Sequence, residues 1–156
     1  SLITYGDDAK SSVHEDFPEF NHLAVAKFLE ERDMKFTMPD KESEPTPFMK
    51  DEEADLLKRA NIYSEDTGMI MGALDEDSIF KSLHAVLKSK SITREQQAMQ
   101  NIDGGLREWF SHGRETYEER REQMKEIAER ADIAHGCTVI HETYDDRLQA
   151  WKNRYE

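Results

Sequence analysis

The feature that most constrains this chain is a change of hydrophobic period at Leu74. Before it, apolar residues come in short runs and alternations broken by Gly, Pro and Asp. After it, they recur every three to four residues almost to the last position, the spacing of one face of a helix. Strand patterns and helix patterns segregated along the chain predict an α+β fold with two lobes, not an alternating parallel sheet.

The first half reads as hairpin, helix, strand, hairpin. Leu2 to Tyr5 are strand formers, Gly6-Asp7-Asp8 is turn-prone, and Ala9 to Val13 returns as a second strand. The opening strand reads as buried, and a chain that opens on one predicts a missing upstream segment, because a central strand needs partners on its edges. Asp16 as cap and Pro18 in the first turn predict a helix whose apolar face is Phe20, Leu23, Ala24 and Phe28. Met34, Phe36 and Met38 alternate with Lys35 and Thr37, predicting a half-buried strand that Pro39-Asp40 ends. Glu42 to Pro47 is a loop. Ala54–Tyr63 and Met69–Leu74 form the second predicted hairpin, turning through Glu65 to Gly68. Met34, Met38, Met69 and Met71 are expected in the core.

Four helices are expected beyond Leu74. Ile79, Leu83, Val86 and Leu87 make the first stripe, capped by Asp75 or Asp77. Thr93 and Gln96 have capping-box spacing ahead of Ile102, Leu106, Trp109 and Phe110, and Gly113 is the stop. Tyr117, Met124, Ile127 and Ala131 mark the third, and Thr143 caps the fourth, with Tyr144, Leu148, Trp151 and Tyr155 on one face.

Composition bounds the function. The net charge is -13, with acidity gathered at Asp51–Asp55, Asp75–Asp77 and Glu115–Glu129. Such runs read as solvated faces, and they weigh against nucleic-acid binding by this piece alone, since phosphate contacts need a basic surface. The single cysteine, Cys137, excludes an internal disulfide, and no apolar run is long enough to span a bilayer. The expectation is a soluble, cytosolic chain. His135, Cys137 and His141, with Asp145, match no closed zinc pattern and read as scattered surface and core residues.

Tyr5-Gly6-Asp7-Asp8 is the sharpest chemical signal. A tight hairpin presents both carboxylates at one tip, with no side chain at Gly6 to crowd an approach. Adjacent carboxylates repel unless a cation offsets them, and hard oxygen donors suit Mg²⁺, which shares its shell with waters and phosphates. The plain alternative is an acidic turn. Average residue frequencies put this tetrapeptide in roughly one chain in a thousand of this length by chance. Its place between apolar strands makes the chemical reading the stronger one.

Taken in order, these segments resemble the picornavirus-like viral RNA-dependent RNA polymerases. Tyr5-Gly6-Asp7-Asp8 resembles motif C, Phe36-Thr37-Met38-Pro39-Asp40-Lys41 motif D, and Leu56-Leu57-Lys58-Arg59 motif E; Ala73 to Ile79 resembles the thumb entry. Motif E departs slightly, with Leu56 where an aromatic is common. The resemblance implies a partial palm followed by an all-helical thumb, with 1–53 the C-terminal palm, 54–74 the motif E hairpin and 75–156 the thumb. It implies a two-metal Mg²⁺ site, with Mn²⁺ as a substitute ion, held by Asp7 and by Asp8 as the weaker contributor. The site would be shared with residues upstream. Lys41 would be the general acid toward pyrophosphate, and Lys58 and Arg59 would steady the primer 3′ end. The implied partners are RNA template and primer, nucleoside triphosphates, and the upstream fingers and palm; the implied location is host-cytoplasmic replication complexes. Motifs A and B would lie upstream, so the fragment alone is expected to be inactive. A reverse-transcriptase palm also carries paired aspartates on a hairpin. Gly6, the lysine after Pro39-Asp40 and Leu57-Lys58-Arg59 favour RNA copied from RNA. Outside the enzymes, the alternative is an acidic helical module that binds a basic partner.

Overall fold

A computed structural model of the chain describes residues 1–155. Among them are two antiparallel hairpins and five helices, with the helices concentrated toward the C-terminus, which is the α+β class the period change predicts. The chain divides into two compact units, 1–60 and 61–156.

The first unit opens on β1 (Leu2–Tyr5) and β2 (Asp8–Ser11), paired Leu2 with Ser11 through Tyr5 with Asp8. The turn is therefore two residues, Gly6-Asp7, and Asp8 is already the first strand residue. β1 is exposed along its whole length, with Leu2, Ile3 and Tyr5 each at least 60% accessible, and the expectation of a buried strand is overturned. The reason is that this sheet has only two strands, with no third strand among the described residues to pair with or cover β1.

α1 spans His22–Glu30, later than Asp16 and Pro18 suggested. The effective cap is Asn21, whose side-chain oxygen accepts from the Ala24 N–H at 3.1 Å while its amide donates to the Pro18 carbonyl at 2.9 Å. The predicted apolar face of Phe20, Leu23 and Phe28 is exposed, and the better-covered residues are His22, Val25, Ala26 and Leu29. His22 explains which side is covered. Its N–H and Nδ1 bond the Pro47 and Thr46 carbonyls at 3.0 and 2.9 Å, and its ring stacks at a tilt on Phe36. The loop carrying Pro45 and Pro47 is thereby strapped to the start of α1.

Residues 34–38 are not a strand. Their alternation shows in burial, with Met38 buried, Phe36 half-buried, and Lys35 and Thr37 exposed, but a strand also needs a ladder partner, and none lies beside them among the described residues. Met34 is half exposed because its N–H closes the end of α1 on the Leu29 carbonyl at 3.0 Å.

The second hairpin is β3 (Arg59–Ser64), whose first two residues close the first unit, and β4 (Met69–Leu74), in the second unit. β3 starts five residues later than Ala54, because Leu56 to Arg59 make a tight turn of their own. α2 (Glu76–Leu83) is capped by Asp75, which accepts from the Ser78 N–H at 2.7 Å. It stops before Val86 and Leu87, both exposed, because the Gln97 side chain takes the Leu87 N–H and carbonyl at 2.8 and 2.9 Å and holds that segment as a loop.

α3 (Arg94–Trp109) begins with the predicted Thr93–Gln96 capping box and runs into a 3₁₀ turn, Phe110–His112, before Gly113. α4 (Arg114–Arg130) buries Tyr117, Met124 and Ala128, whereas Ile127 and Ala131 face solvent. Two further 3₁₀ turns, Ala134–Gly136 and Val139–His141, lead to α5 (Tyr144–Tyr155), where Thr143 and Asp146 cap one another. The core of this unit is Ile79, Ile102, Leu106, Trp109, Phe110, Tyr117, Met124, Val139, Ile140 and Tyr144, with Leu148 and Trp151 packed against it. No helix among the described residues is long and apolar enough to cross a membrane.

Candidate functional site

Gly6 has φ +60° and Asp7 does not have a positive φ. A positive φ at the first central residue alone is the requirement of a type II′ hairpin turn, which puts glycine there. A Cβ on Gly6 would meet nothing within 4 Å, so the glycine is needed for its backbone conformation and not to clear space. The turn exposes Asp7 at the tip and starts β2 with Asp8. Neither carboxylate has a hydrogen-bonded or ion-paired partner among the described residues.

These donors fit a hard divalent cation such as Mg²⁺: two neighbouring carboxylates, exposed, with no protein cation neutralising them. They are an incomplete set, since no group of three or more His, Cys, Asp or Glu able to hold a metal ion occurs among the described residues. The His135, Cys137, His141 and Asp145 quartet does not gather either. Cys137 is buried with its thiol directed at the Ile133 carbonyl, while His141 is exposed and Asp145 pairs with Arg114 at 2.6 Å.

Lys41 follows a tight turn in which its N–H donates to the Met38 carbonyl at 2.8 Å. Its own φ is +64°, unusual for a lysine. Asp40 holds the bend: its carboxylate accepts from the Glu42 and Ser43 N–H groups, each at 3.1 Å, and from the Ser43 hydroxyl at 2.9 Å. The Ser43 and Glu42 N–H groups, followed by that hydroxyl, hold the Asp40 carboxyl below its ordinary range. The Lys41 side chain is exposed and makes no hydrogen bond or ion pair among the described residues.

Leu57 and Lys58 have φ +55° and +59°, between Leu56 and Arg59 whose N–H and carbonyl groups pair reciprocally at 3.0 and 3.2 Å. Positive φ at both central residues is a type I′ turn, normally built from Asn and Gly. A leucine and a lysine in that conformation are strained. Lys58 is exposed and Arg59 half-buried. Of the five non-glycine residues with positive φ among the described residues, Lys41, Leu57 and Lys58 fall in the segments already singled out, while Asp33 and Asp132 close the ends of α1 and α4.

Two residues carry no motif and were not predicted. Lys10 is largely buried and reaches the Asp51 carboxylate at 2.8 Å and the Ala54 carbonyl. A cation two residues after Asp8 is its only mark in the sequence. Asp103 is buried in α3 and accepts from Thr138 and Val139 N–H groups at 2.9–3.1 Å and from the Thr138 hydroxyl at 2.6 Å. A shallow groove lined by Leu23, Ala26, Lys27, Glu30, Met34 and Phe36 holds none of the predicted site residues.

The family model described as viral RNA-dependent RNA polymerase matches residues 1–141. The replicase polyprotein of cricket paralysis virus is 25% identical over 129 residues, 82% of this chain and 7% of its own length. That of Drosophila C virus is 28% identical over 149 residues, 95% of this chain and 8% of its own. The RNA1 polyprotein of cowpea mosaic virus is 32% identical over 130 residues, 81% of this chain and 7% of its own. The chain thus spans less than a tenth of each of these curated relatives.

Proposed function

The chain belongs to the viral RNA-dependent RNA polymerase family, in its picornavirus-like branch, and from that premise we propose that it supplies part of the catalytic palm and the thumb of an RNA-directed RNA polymerase. In this reading, residues 1–53 complete the palm, 54–74 form the motif E hairpin and 75–156 are the thumb. The observation that carries it is the type II′ turn that leaves Asp7 and Asp8 exposed, adjacent and unneutralised within a matched family segment. The uncovered faces of β1 and α1 fit the same account, since a two-stranded sheet is stable only when further strands or a helix pack on it. The upstream fingers and palm would supply that cover, along with the remaining metal ligands.

Asp7 would hold Mg²⁺ directly and Asp8 would assist, with Mn²⁺ able to replace it. When bound, the metal supplies Lewis-acid stabilisation of charge on the reacting hydroxyl and phosphate oxygens. This chain's own residues do the rest. Lys41, in the bend that the Asp40 carboxylate holds, would donate a proton to the departing pyrophosphate. Lys58 and Arg59, on a turn whose backbone is fixed at both central residues, would steady the primer 3′ end against the template. The substrates would be nucleoside triphosphates and a primed RNA template, and the setting a replication complex in the host cytoplasm.

The test is single-nucleotide addition by the complete polymerase that contains this chain. Asp7→Asn, which removes a metal-binding charge at constant shape, is expected to lower turnover by roughly 10²- to 10³-fold, the scale of losing one principal electrostatic group. Asp8→Asn should cost less. Lys41→Leu should slow the chemical step by roughly 10²-fold, at the low end for a general acid, with nucleotide binding little changed. Retention of the parent rate by Asp7→Asn would overturn the assignment.

A further inference from the structure

We propose that Lys10 is a positioning residue for nucleotide addition, tying the hairpin that carries Asp7 and Asp8 to the segment that leads into the Leu56–Arg59 turn. The proposal rests on the functional reading above and adds a link between its two parts.

The observation is local and lies within the first unit. Lys10 sits in β2 opposite Ile3, on the same face as Asp8, since residues two apart in a strand share a face. Its ammonium does not turn back to Asp8. It bonds the Ala54 carbonyl, the Asp51 carboxylate at 2.8 Å and, at 3.4 Å, the Asp51 carbonyl, with 19% of the side chain left accessible. Three donors meet three acceptors, so the ammonium is saturated there. An exposed ion pair would be worth little, but two of these acceptors are backbone carbonyls, and they fix the position of the chain itself.

Asp51 to Ala54 is a turn, with the Glu53 and Ala54 N–H groups both donating to the Lys50 carbonyl at 3.1 and 3.0 Å. Leu56, two residues on, starts the strained turn of Leu57 and Lys58. Asp8 likewise lies two residues from Lys10. The amine therefore joins two short spans, each about 7 Å of extended chain at most. One ends at Asp8, and the other at Leu56, which opens the turn that carries Lys58 and Arg59, the residues assigned to the primer end. Primer hydroxyl and metal must be aligned closely for transfer, and a misplacement of about 1 Å can cost on the order of 10²-fold in rate.

The experiment is rapid-quench addition of one nucleotide to a labelled RNA primer–template by the complete polymerase, with rates normalised to titrated active sites. Lys10→Met, which keeps length and loses the charge and donors, is expected to lower the maximal rate roughly ten- to a hundredfold while leaving the apparent nucleotide affinity unchanged. Lys10→Arg, which can still reach carbonyl and carboxylate, should recover most of that rate. Asp51→Asn, which leaves the Ala54 contact in place, should be the mildest. A parent rate per active site in Lys10→Met, even with lowered thermal stability, would overturn the proposal, as would Lys10→Arg no faster than Lys10→Met. Asp7→Asn is the control that separates the readings. If it is inactive while Lys10→Met is normal, the tie alone is wrong; if it is active, the site itself is misassigned.

Discussion

Tyr144 is 1% accessible, and burial together with a hydrogen bond to Asp66 pushes its hydroxyl from the ordinary 10.0 up to about 12. The folded chain therefore holds this proton more tightly than the unfolded chain does, and the sign of the pH effect follows. The contribution is complete below pH 10 and is lost as pH rises through about 12. Tyr117, buried and donating to the Glu142 carbonyl at 2.9 Å, is raised in the same direction. Denaturant midpoints measured across this range should fall in the parent, and Tyr144→Phe should flatten part of that fall; an unchanged slope would contradict the buried placement. At this scale legibility was uneven. Tyr144 was readable as a core position from its helical spacing, and Asp7 and Asp8 from their adjacency after a glycine. Asp103 was not, because one Asp in an amphipathic helix reads as solvated until Thr138, 35 positions later, is seen to donate to it. The positive φ of Lys41, Leu57 and Lys58 was also hidden, since their side chains give no sign of a left-handed backbone.

Elements whose beginnings are set by local chemistry were the readable ones. Thr93 with Gln96 starts α3 and Thr143 starts α5, because a side-chain oxygen three residues before an unpaired N–H needs no distant partner. Where an element depends on something far away, the pattern misled. Met34 to Met38 has the alternation of a strand without a neighbour to pair with, and the Phe20, Leu23 and Phe28 stripe on α1 lost the covered side to the His22 contacts with Thr46 and Pro47. Packing between α2 and α3 gives a sharper contrast at Gly104 and Gly105. A Cβ at Gly104 meets open space, whereas one at Gly105 would lie 3.3 Å from both Leu83 Cδ2 and Trp109 Cζ3. Trp109 cannot easily give way, being fully buried with its indole N–H donating to Glu76 at 2.9 Å. Burial alone would raise the Glu76 carboxyl, but bonds from Arg120 and Trp109 outweigh it and hold it low. Gly104→Ala should then gain up to about 1 kcal/mol from helix propensity. Gly105→Ala should lose about 1 kcal/mol, because overpacking exceeds that gain. Thermal or denaturant unfolding of the pair checks this, and equal stabilisation by both would show that the helices are not in such close contact.

Taken whole, the molecule carries a net charge of -13, which weighs against RNA binding by this chain alone, since phosphate contacts need a basic surface. The first unit, residues 1–60, carries 15 Asp and Glu against 8 Lys and Arg, whereas on α4 six glutamates are nearly balanced by five Arg and Lys. Lys41, Lys58 and Arg59, the cations assigned to pyrophosphate and RNA, lie in that acidic unit, so in this reading the basic channel would come from the upstream part of the polymerase. The uncovered hydrophobic residues of that unit, Leu2, Ile3, Phe20, Leu23 and Phe28 among them, are consistent with a piece that completes its core against the rest of a polymerase. The period change at Leu74 was enough to read the α+β class, and the order of the three short segments was enough to read the family. Templated primer extension tests the central claim most directly: the complete polymerase containing this chain, its Asp7→Asn variant and the chain by itself, each given a primed RNA template, nucleoside triphosphates and millimolar Mg²⁺, with a parallel reaction in deoxynucleotides. The expected result is extension by the complete polymerase with ribonucleotides, almost none by Asp7→Asn and none by the chain alone. Extension by the chain alone, undiminished extension by Asp7→Asn, or a preference for deoxynucleotides would contradict it.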